Sequence, residues 1–181
     1  MFILYAIVIG LVAGLIVGGR PAGIGTIRFR WGWLVVLGFG LQVILFSAPV
    51  TERIGSFGVP LYVGSTALVL AALVRNISVP GLWIVTLGAL ANMSAIATNG
   101  GYMPAAPGAL AALGRGQETV YSNSAVLAHP ALEPLTDIFA IPRGIPFANV
   151  FSVGDVLIGL GIAVAIAVAM KRSTGADRAQ S

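Results

Sequence analysis

Apolar residues in this chain come in five long runs, without the helical stripe of a soluble amphipathic helix or the alternation of a half-buried strand. The runs cover residues 2–19, 31–50, 60–74, 80–98 and 151–170. At ~1.5 Å of rise per residue, each reaches across most of a ~30 Å hydrocarbon core, so each is expected to be a transmembrane helix. The breaks between the first four runs are short. Pro21, Gly23 and Gly25 end the first, the turn at 51–59 leads into Pro60, and residues 76–79 form a tight connection to Pro80, which is expected in the first turn of its helix. Residues 99–150 are different: they are too long for a plain connection and are expected to carry structure of their own. They open on the turn Asn99-Gly100-Gly101-Tyr102-Met103-Pro104. An apolar stretch at 105–114 follows, too short to span and expected to lie at the interface or to re-enter, and residues 120–128 read as a strand. Residues 171–181 are a polar tail, expected to be disordered. The expected fold class is an all-α membrane protein, with five transmembrane helices and a long extracytoplasmic segment between helices 4 and 5.

Composition strengthens this picture. Hydrophobic residues make up 57% of the chain and charged ones only 9%, with a mean hydropathy of +0.97, which fits no ordinary soluble domain. The formal charge of +4 would suit nucleic acid, but the basic residues stand beside the apolar runs and not along one polar face. Nucleic acid is therefore not expected as a partner; the lipid bilayer is. With no cysteine and one histidine, His129, the chain has no disulfide, no thiol nucleophile and no multi-histidine metal site, and no metal or cofactor is expected. The first nineteen residues lack a basic leader and a small-residue cleavage site, so a retained span is expected there. Seven of the ten Lys and Arg residues (Arg20, Arg28, Arg30, Arg75, Lys171, Arg172, Arg178) fall on one side of a five-span arrangement, against Arg53, Arg115 and Arg143 on the other. Positive residues gather inside, so the N-terminus is expected outside and the C-terminal tail in the cytoplasm of a bacterium, with the chain in the inner membrane.

Candidate chemistry centres on residues 137–155. Asp155 lies about five residues inside the outer end of the fifth run, ~7 Å deep at helical rise, where an ionisable group is costly enough to mark a site. Asn92, in the fourth run, comes to nearly the same depth, so the two side chains can either pair structurally or line a ligand site. Ser152, three residues before Asp155, is placed to cap or orient it. Other polar residues admit plainer readings. Ser65 and Thr66 can return a hydrogen bond to their own helix; His129 precedes Pro130 at a turn; and Glu118, Glu133 and Asp137 lack the ligand spacing of a cation loop. Gly10, Gly14 and Gly18 repeat every four residues on one helix face, which serves either close packing within the chain or a partner helix.

Two resemblances add to this. Phe151-Ser152-Val153-Gly154-Asp155, opening an apolar run, resembles the Phe-Asn-x-Ala-Asp motif of bacterial lipoprotein signal peptidases, and Gly88-Ala89-Leu90-Ala91-Asn92 is similar to the Gly-x-x-Gly-Asn part of their other catalytic motif. The resemblance implies that Asp155 stands where one member of an aspartate dyad stands, one acid activating water and the other polarising the scissile carbonyl. It also implies a departure, since Ala95 occupies the position of the second aspartate and Ile96 that of an arginine. Asp137 is the nearby acid that would have to replace it. More of the chain resembles a family of small bacterial membrane proteins catalogued as a domain of unknown function. Asn99, Gly100, Gly101, Met103 and Pro104, then Asp137, Pro142, Asn149 and Asp155, carry that likeness.

Three functions remain open. The first is an outward-facing pocket for a lipid, lipid-linked or peptide ligand, lined by Asn92, Asn99, Tyr102, Asn149 and Ser152. The second is an aspartyl peptidase-like hydrolase using Asp155 and Asp137, and the third is an assembly partner docking through Gly10, Gly14 and Gly18. The charge count makes its own prediction: alkaline phosphatase fused after Ser181 is expected to be inactive in cells and a fluorescent reporter there active. The reverse pattern would overturn the five-span orientation.

Overall fold

The computed structural model describes residues 2–51, 53–114 and 124–178, so Glu52, Arg115, Glu118 and residues 120–123 of the expected strand lie outside the described residues. The protein is mostly helical, at 66%. Its helices are α1 (Phe2–Ile16), α2 (Gly32–Leu45), α3 (Ala48–Thr51), α4 (Gly58–Arg75), α5 (Leu82–Thr98), α6 (Pro107–Ala112) and α7 (Val153–Arg178). Two stretches, Gly55–Arg75 and Val153–Arg172, are long and apolar enough to cross a membrane, whereas Phe2–Ile16, Gly32–Leu45 and Leu82–Thr98 are apolar but shorter. Ile16, Val36 and Val43 are each more than 70% exposed, an apolar surface that water would penalise and a bilayer would not.

The helix ends differ from those expected, for local reasons. α1 stops where Gly18 takes φ +75, and a 3-10 turn begins at Pro21. α2 stops four residues before Pro49, whose nitrogen has no proton for the Leu45 carbonyl, and the expected second span resumes only as the single turn α3. α5 begins after Pro80, because Gly81 at φ +85 precedes it in the left-handed region. Pro80 therefore belongs to the turn and not to the first helical turn. The tail is not irregular either: α7 continues to Arg178, since Lys171, Arg172 and Ala176 are good helix formers with no proline to stop them. An all-α chain also needs amendment. Strand β1 (Met103–Pro104) pairs in parallel with β2 (Ser124–Ala125), and β3 (Phe139–Ile141) pairs antiparallel with β4 (Asn149–Phe151). Helix α6 fills the stretch at 105–114, with Ala105, Ala109 and Leu113 buried against Val150.

α7 lies between α1 and α5, and α4 between α5 and α2. The contacts around α7 are backbone-close. A side chain at Gly10 would meet the Ala163 backbone at 2.8 Å and one at Gly14 would meet the Met170 sulfur at 2.4 Å. That face of α1 is thus filled by the chain's own last helix. On the other side, a Cβ at Gly161 would sit 2.6 Å from the Gly81 carbonyl, and one at Gly88 would sit 2.4 Å from the Gly154 carbonyl. α2 and α4 are joined by Gln42, whose amide donates to Ser65 Oγ at 3.2 Å and Thr66 Oγ1 at 3.3 Å. Both hydroxyls donate to the Tyr62 carbonyl of their own helix, as expected. At the end of the bundle that carries the hairpin, the rings of Phe2, Phe151 and Phe139 stack in series, with centroids 4.7 and 5.4 Å apart, and fix the start of α1 to the β3–β4 hairpin.

The close α5–α7 contact makes a prediction. Gly161→Val is expected to destabilise the protein by about 1–3 kcal/mol through overpacking, read as a lower Tm in detergent. Gly40→Val, at a helix position with nothing within 4 Å, is expected to leave Tm unchanged. Equal melting of the two variants would contradict the seam.

Candidate functional site

The site is built on the first turn of α7. A helix begins with unpaired backbone N–H groups, and Ser152, immediately before Val153, satisfies one of them: its Oγ accepts from the Asp155 N–H at 3.0 Å. Asp155 reciprocates, its Oδ2 accepting from the Ser152 N–H at 3.1 Å, which is a capping box with Asp in the third helical position. Asn92 of α5 closes the ring. Its Nδ2 donates to Asp155 Oδ1 at 2.9 Å, and its Oδ1 accepts from Ser152 Oγ at 2.8 Å. Ser152 is fully buried, so these bonds carry the whole polar demand of its side chain. Only a glycine fits between the partners, because a Cβ at Gly154 would lie 1.9 Å from Asn92 Oδ1.

Asp137 arrives from the segment between α5 and α7. Its backbone N–H donates to the Pro104 carbonyl at 2.9 Å, and its own carbonyl accepts from the Ala106 N–H at 3.0 Å, a strand-like bridge beside Ala105. The neighbouring Thr136 is buried and turns its hydroxyl onto the Glu133 carbonyl at 2.7 Å. Asp137 itself is only 7% exposed. Burial raises its pKa from 3.8 to about 7, and the charge of Asp155 adds to the rise.

Asp137, Asp155, Asn92 and Asn149 line one cavity of about 310 Å³, walled also by Tyr62, Ile96, Met103 and Val150. The cavity does not stand alone. Tyr62, Asn92, Ile96, Asn149 and Asp155 also border a larger cleft of about 520 Å³, whose walls are otherwise mainly apolar: Phe39, Leu70 and Leu73 on one side, Phe2, Ile158 and Ile162 on the other. A short polar chamber with two carboxylates thus opens into a long greasy one. Such a shape can hold an amphiphile, with its hydrogen-bond donors among the acids and its apolar chain along the helices.

The structure brings Asn92, Ser152 and Asp155 into direct contact and sets Asp137 and Asn149 on the same cavity. It does not bring Asn99 and Tyr102 there. Asn99 ties the end of α5 to the segment that follows it: its amide donates to the carbonyls of Ala95 at 2.7 Å and Ala131 at 2.8 Å, and its oxygen accepts from the Ala131 N–H at 2.8 Å. Ala95 is fully buried in an apolar cluster with Leu45, Tyr62, Ile96 and Met103. His129 is exposed. Tyr62 was not among the expected site residues, although a phenol inside an apolar run is a polar handle that sequence offers. Met103 and Val150 carry no such signal.

The model of DUF5317, a family of unknown function, matches residues 26–167, and the chain belongs to that family. No curated protein and no solved structure matches the chain.

The raised Asp137 makes stability depend on pH with a definite sign. An acid that keeps its proton to higher pH when folded than when unfolded favours the folded state in acid, and that contribution is lost as pH rises from about 4 to about 7. Asp137→Asn is expected to remove this loss, so that the Tm of the variant relative to wild type improves from pH 4 to pH 7 and then levels off. Parallel Tm curves across that range would refute the buried, proton-holding Asp137.

Proposed function

We propose that this member of DUF5317 is a multi-pass protein of the bacterial inner membrane whose outward-facing pocket binds a lipid, lipid-linked or peptide ligand. Its membrane domain comprises residues 1–170 with five spans, the N-terminus outside and the polar end of α7, residues 171–181, in the cytoplasm. α1 and α2 have 15 and 14 helical residues and alone fall short of a ~30 Å core; the apolar residues flanking them and local thinning of the bilayer make up the difference. The segment 99–150 covers the pocket from outside. The observation that carries this reading is the continuity of the acid-lined cavity with the apolar cleft through Tyr62, Asn92, Ile96, Asn149 and Asp155. An apolar chain entering the cleft would exchange lipid contacts for protein contacts, while its polar end would meet acceptors suited to an amine or amide N–H.

A second reading, an aspartyl peptidase-like hydrolase, rests on Asp137 and Asp155 lining one cavity with Asp137 pushed up to about 7. Such chemistry requires an acid that keeps its proton near neutrality beside a second acid. In that step Asp155 takes a proton from water as its oxygen bonds to the scissile carbonyl carbon, and Asp137 gives its proton to the carbonyl oxygen. Collapse of the resulting gem-diol breaks the C–N bond as Asp155 passes its proton to the leaving nitrogen and Asp137 takes one back from a hydroxyl, which restores both acids.

The test uses the full chain purified in mild detergent, with co-purified amphiphiles extracted and quantified by mass spectrometry. Asp155→Asn and Asn92→Ala are each expected to lower the recovered ligand about tenfold, a loss in keeping with one charge-assisted hydrogen bond; recovery equal to wild type ends the pocket reading. Asp137→Asn separates the two functions. A binder holds less ligand in this variant but in the same chemical form as wild type, whereas a hydrolase accumulates uncleaved ligand that wild type converts.

A further inference from the structure

A second cavity lies at the end of the helix bundle opposite the carboxylates. It has a volume of about 310 Å³ and forms where three segments meet: residues 26–28 after the first turn, residues 78–80 between α4 and α5, and α7 from Ala165 to Arg172. Arg28 and Arg172 stand on its walls with the Ser78 hydroxyl, and Ile27, Val79 and Val168 supply apolar surface. Neither arginine makes an ion pair with a described residue. The acidic side chains that the structure describes, Glu133, Asp137 and Asp155, belong to the other end. Arg75, nearby, is differently engaged, its guanidinium lying 5.8 Å from the centre of the Trp31 ring.

The three segments are fixed to one another by buried bonds. Asn76, 2% exposed, accepts from the Arg30 N–H at 2.7 Å and donates to the Arg30 carbonyl at 2.6 Å and the Ala72 carbonyl at 2.7 Å. On the other side the Arg20 N–H donates to the Met170 carbonyl at 3.0 Å, and Gly23 packs on the backbone of Ala169. Residues 26–28 are thus held between two anchors, one on α4 and one on α7. The backbone that carries the two arginines is set before any ligand arrives, which leaves only their side chains to be ordered on binding.

The geometry points to a binding site for a phosphate ester carried by an amphiphile, an anionic phospholipid of the inner leaflet. Two guanidinium forks and a hydroxyl match the oxygens of a phosphate, and planar forks suit phosphate better than an ammonium does. Ile27, Val79 and Val168 line the same cavity and offer contact to an acyl chain. A basic pocket between helix ends at the cytoplasmic surface is where such headgroups bind. This site is independent of the ligand in the outer pocket.

The test strips the detergent-purified full chain of lipid and re-titrates it with dioleoylphosphatidylglycerol or dioleoylphosphatidylcholine, counting bound lipid by native mass spectrometry. Wild type is expected to hold phosphatidylglycerol in preference to phosphatidylcholine. Arg28→Gln and Arg172→Gln are each expected to weaken that binding roughly fivefold, and the double variant roughly 30-fold. Both arginines are exposed, so the single variants keep the fold, and Arg53→Gln at the opposite end is expected to change nothing. Equal retention of phosphatidylglycerol by wild type and the double variant, or of both lipids by wild type, overturns the proposal. Glycerol 1-phosphate, which has the phosphate without chains, is expected not to displace the lipid at equal concentration; full displacement would make this a site for soluble phosphate esters and overturn the amphiphile assignment.

Discussion

The hydrogen-bonded ring of Asn92, Ser152 and Asp155 is the contact on which the carboxylate-bearing half of this protein depends. It satisfies the first turn of α7, fixes α5 against it, and does so inside apolar surroundings where an unmade hydrogen bond costs the full desolvation of the group. The ring closes only because residue 154 has no side chain: any Cβ there would overlap the Asn92 oxygen. Sequence, packing and polarity are therefore linked at one point. The same glycine-lined approach continues to Gly81 and Gly161 at the far end of the helix pair, so the α5–α7 seam is held by a polar clamp above and by bare backbone contact below.

That clamp divides the roles of the two acids. Both Asp155 oxygens accept from N–H groups, which ties the residue to the scaffold. Asp137 is held through its backbone, between Pro104 and Ala106, and no described residue hydrogen-bonds its carboxyl group. Its burial beside a second acid then makes it the member that takes up a proton near neutrality. An incoming cationic or donor group would relieve that cost, which is what a binding site needs. A proton held near pH 7 is also what an acid catalyst needs. The two uses differ in whether a scissile bond reaches the pair.

Much of this arrangement was legible along the chain because it follows helical rise and spacing. Asn92 and Asp155 could be set at one depth by counting residues from the ends of their runs, and Ser152 stands at the capping distance from Asp155. What was not legible depends on backbone pairing across long separations. Asp137 reaches the cavity through a bridge to residues 104–106, in strands of two or three residues that are too short to show an alternating pattern. Asn99 looked like a site residue because a polar side chain ends an apolar run there, yet its amide is engaged by Ala95 and Ala131. Nothing local distinguishes an asparagine that binds its own chain from one that waits for a ligand. The helix ends were also misjudged where backbone chemistry outweighed hydropathy, at Pro49 and at Gly81.

The open cleft has a cause in how the helices are spaced. α7 is approached to backbone distance on both sides, by Gly10 and Gly14 of α1 and by Gly81 and Gly88 of α5, and α2 meets α4 in the same way through Gly38, where a Cβ would lie 2.8 Å from the Ser65 carbonyl. Across the cleft the facing residues are large: Phe39, Tyr62 and Leu73 stand opposite Phe2, Ile158 and Ile162. Helix axes separate according to the side chains at their contact. Small residues therefore gather α1, α7 and α5 into one tight group and α2 and α4 into another, while the two groups meet chiefly where α4 packs on α5 through larger side chains, Leu73 against Leu82 and Val85. Gln42, Ser65 and Thr66 bond within the second group and add no tie across the gap. The cleft is thus a consequence of where glycine was placed and where it was not, and the acids sit at one end of it because the seam that closes α5 on α7 also delivers Asp155 there.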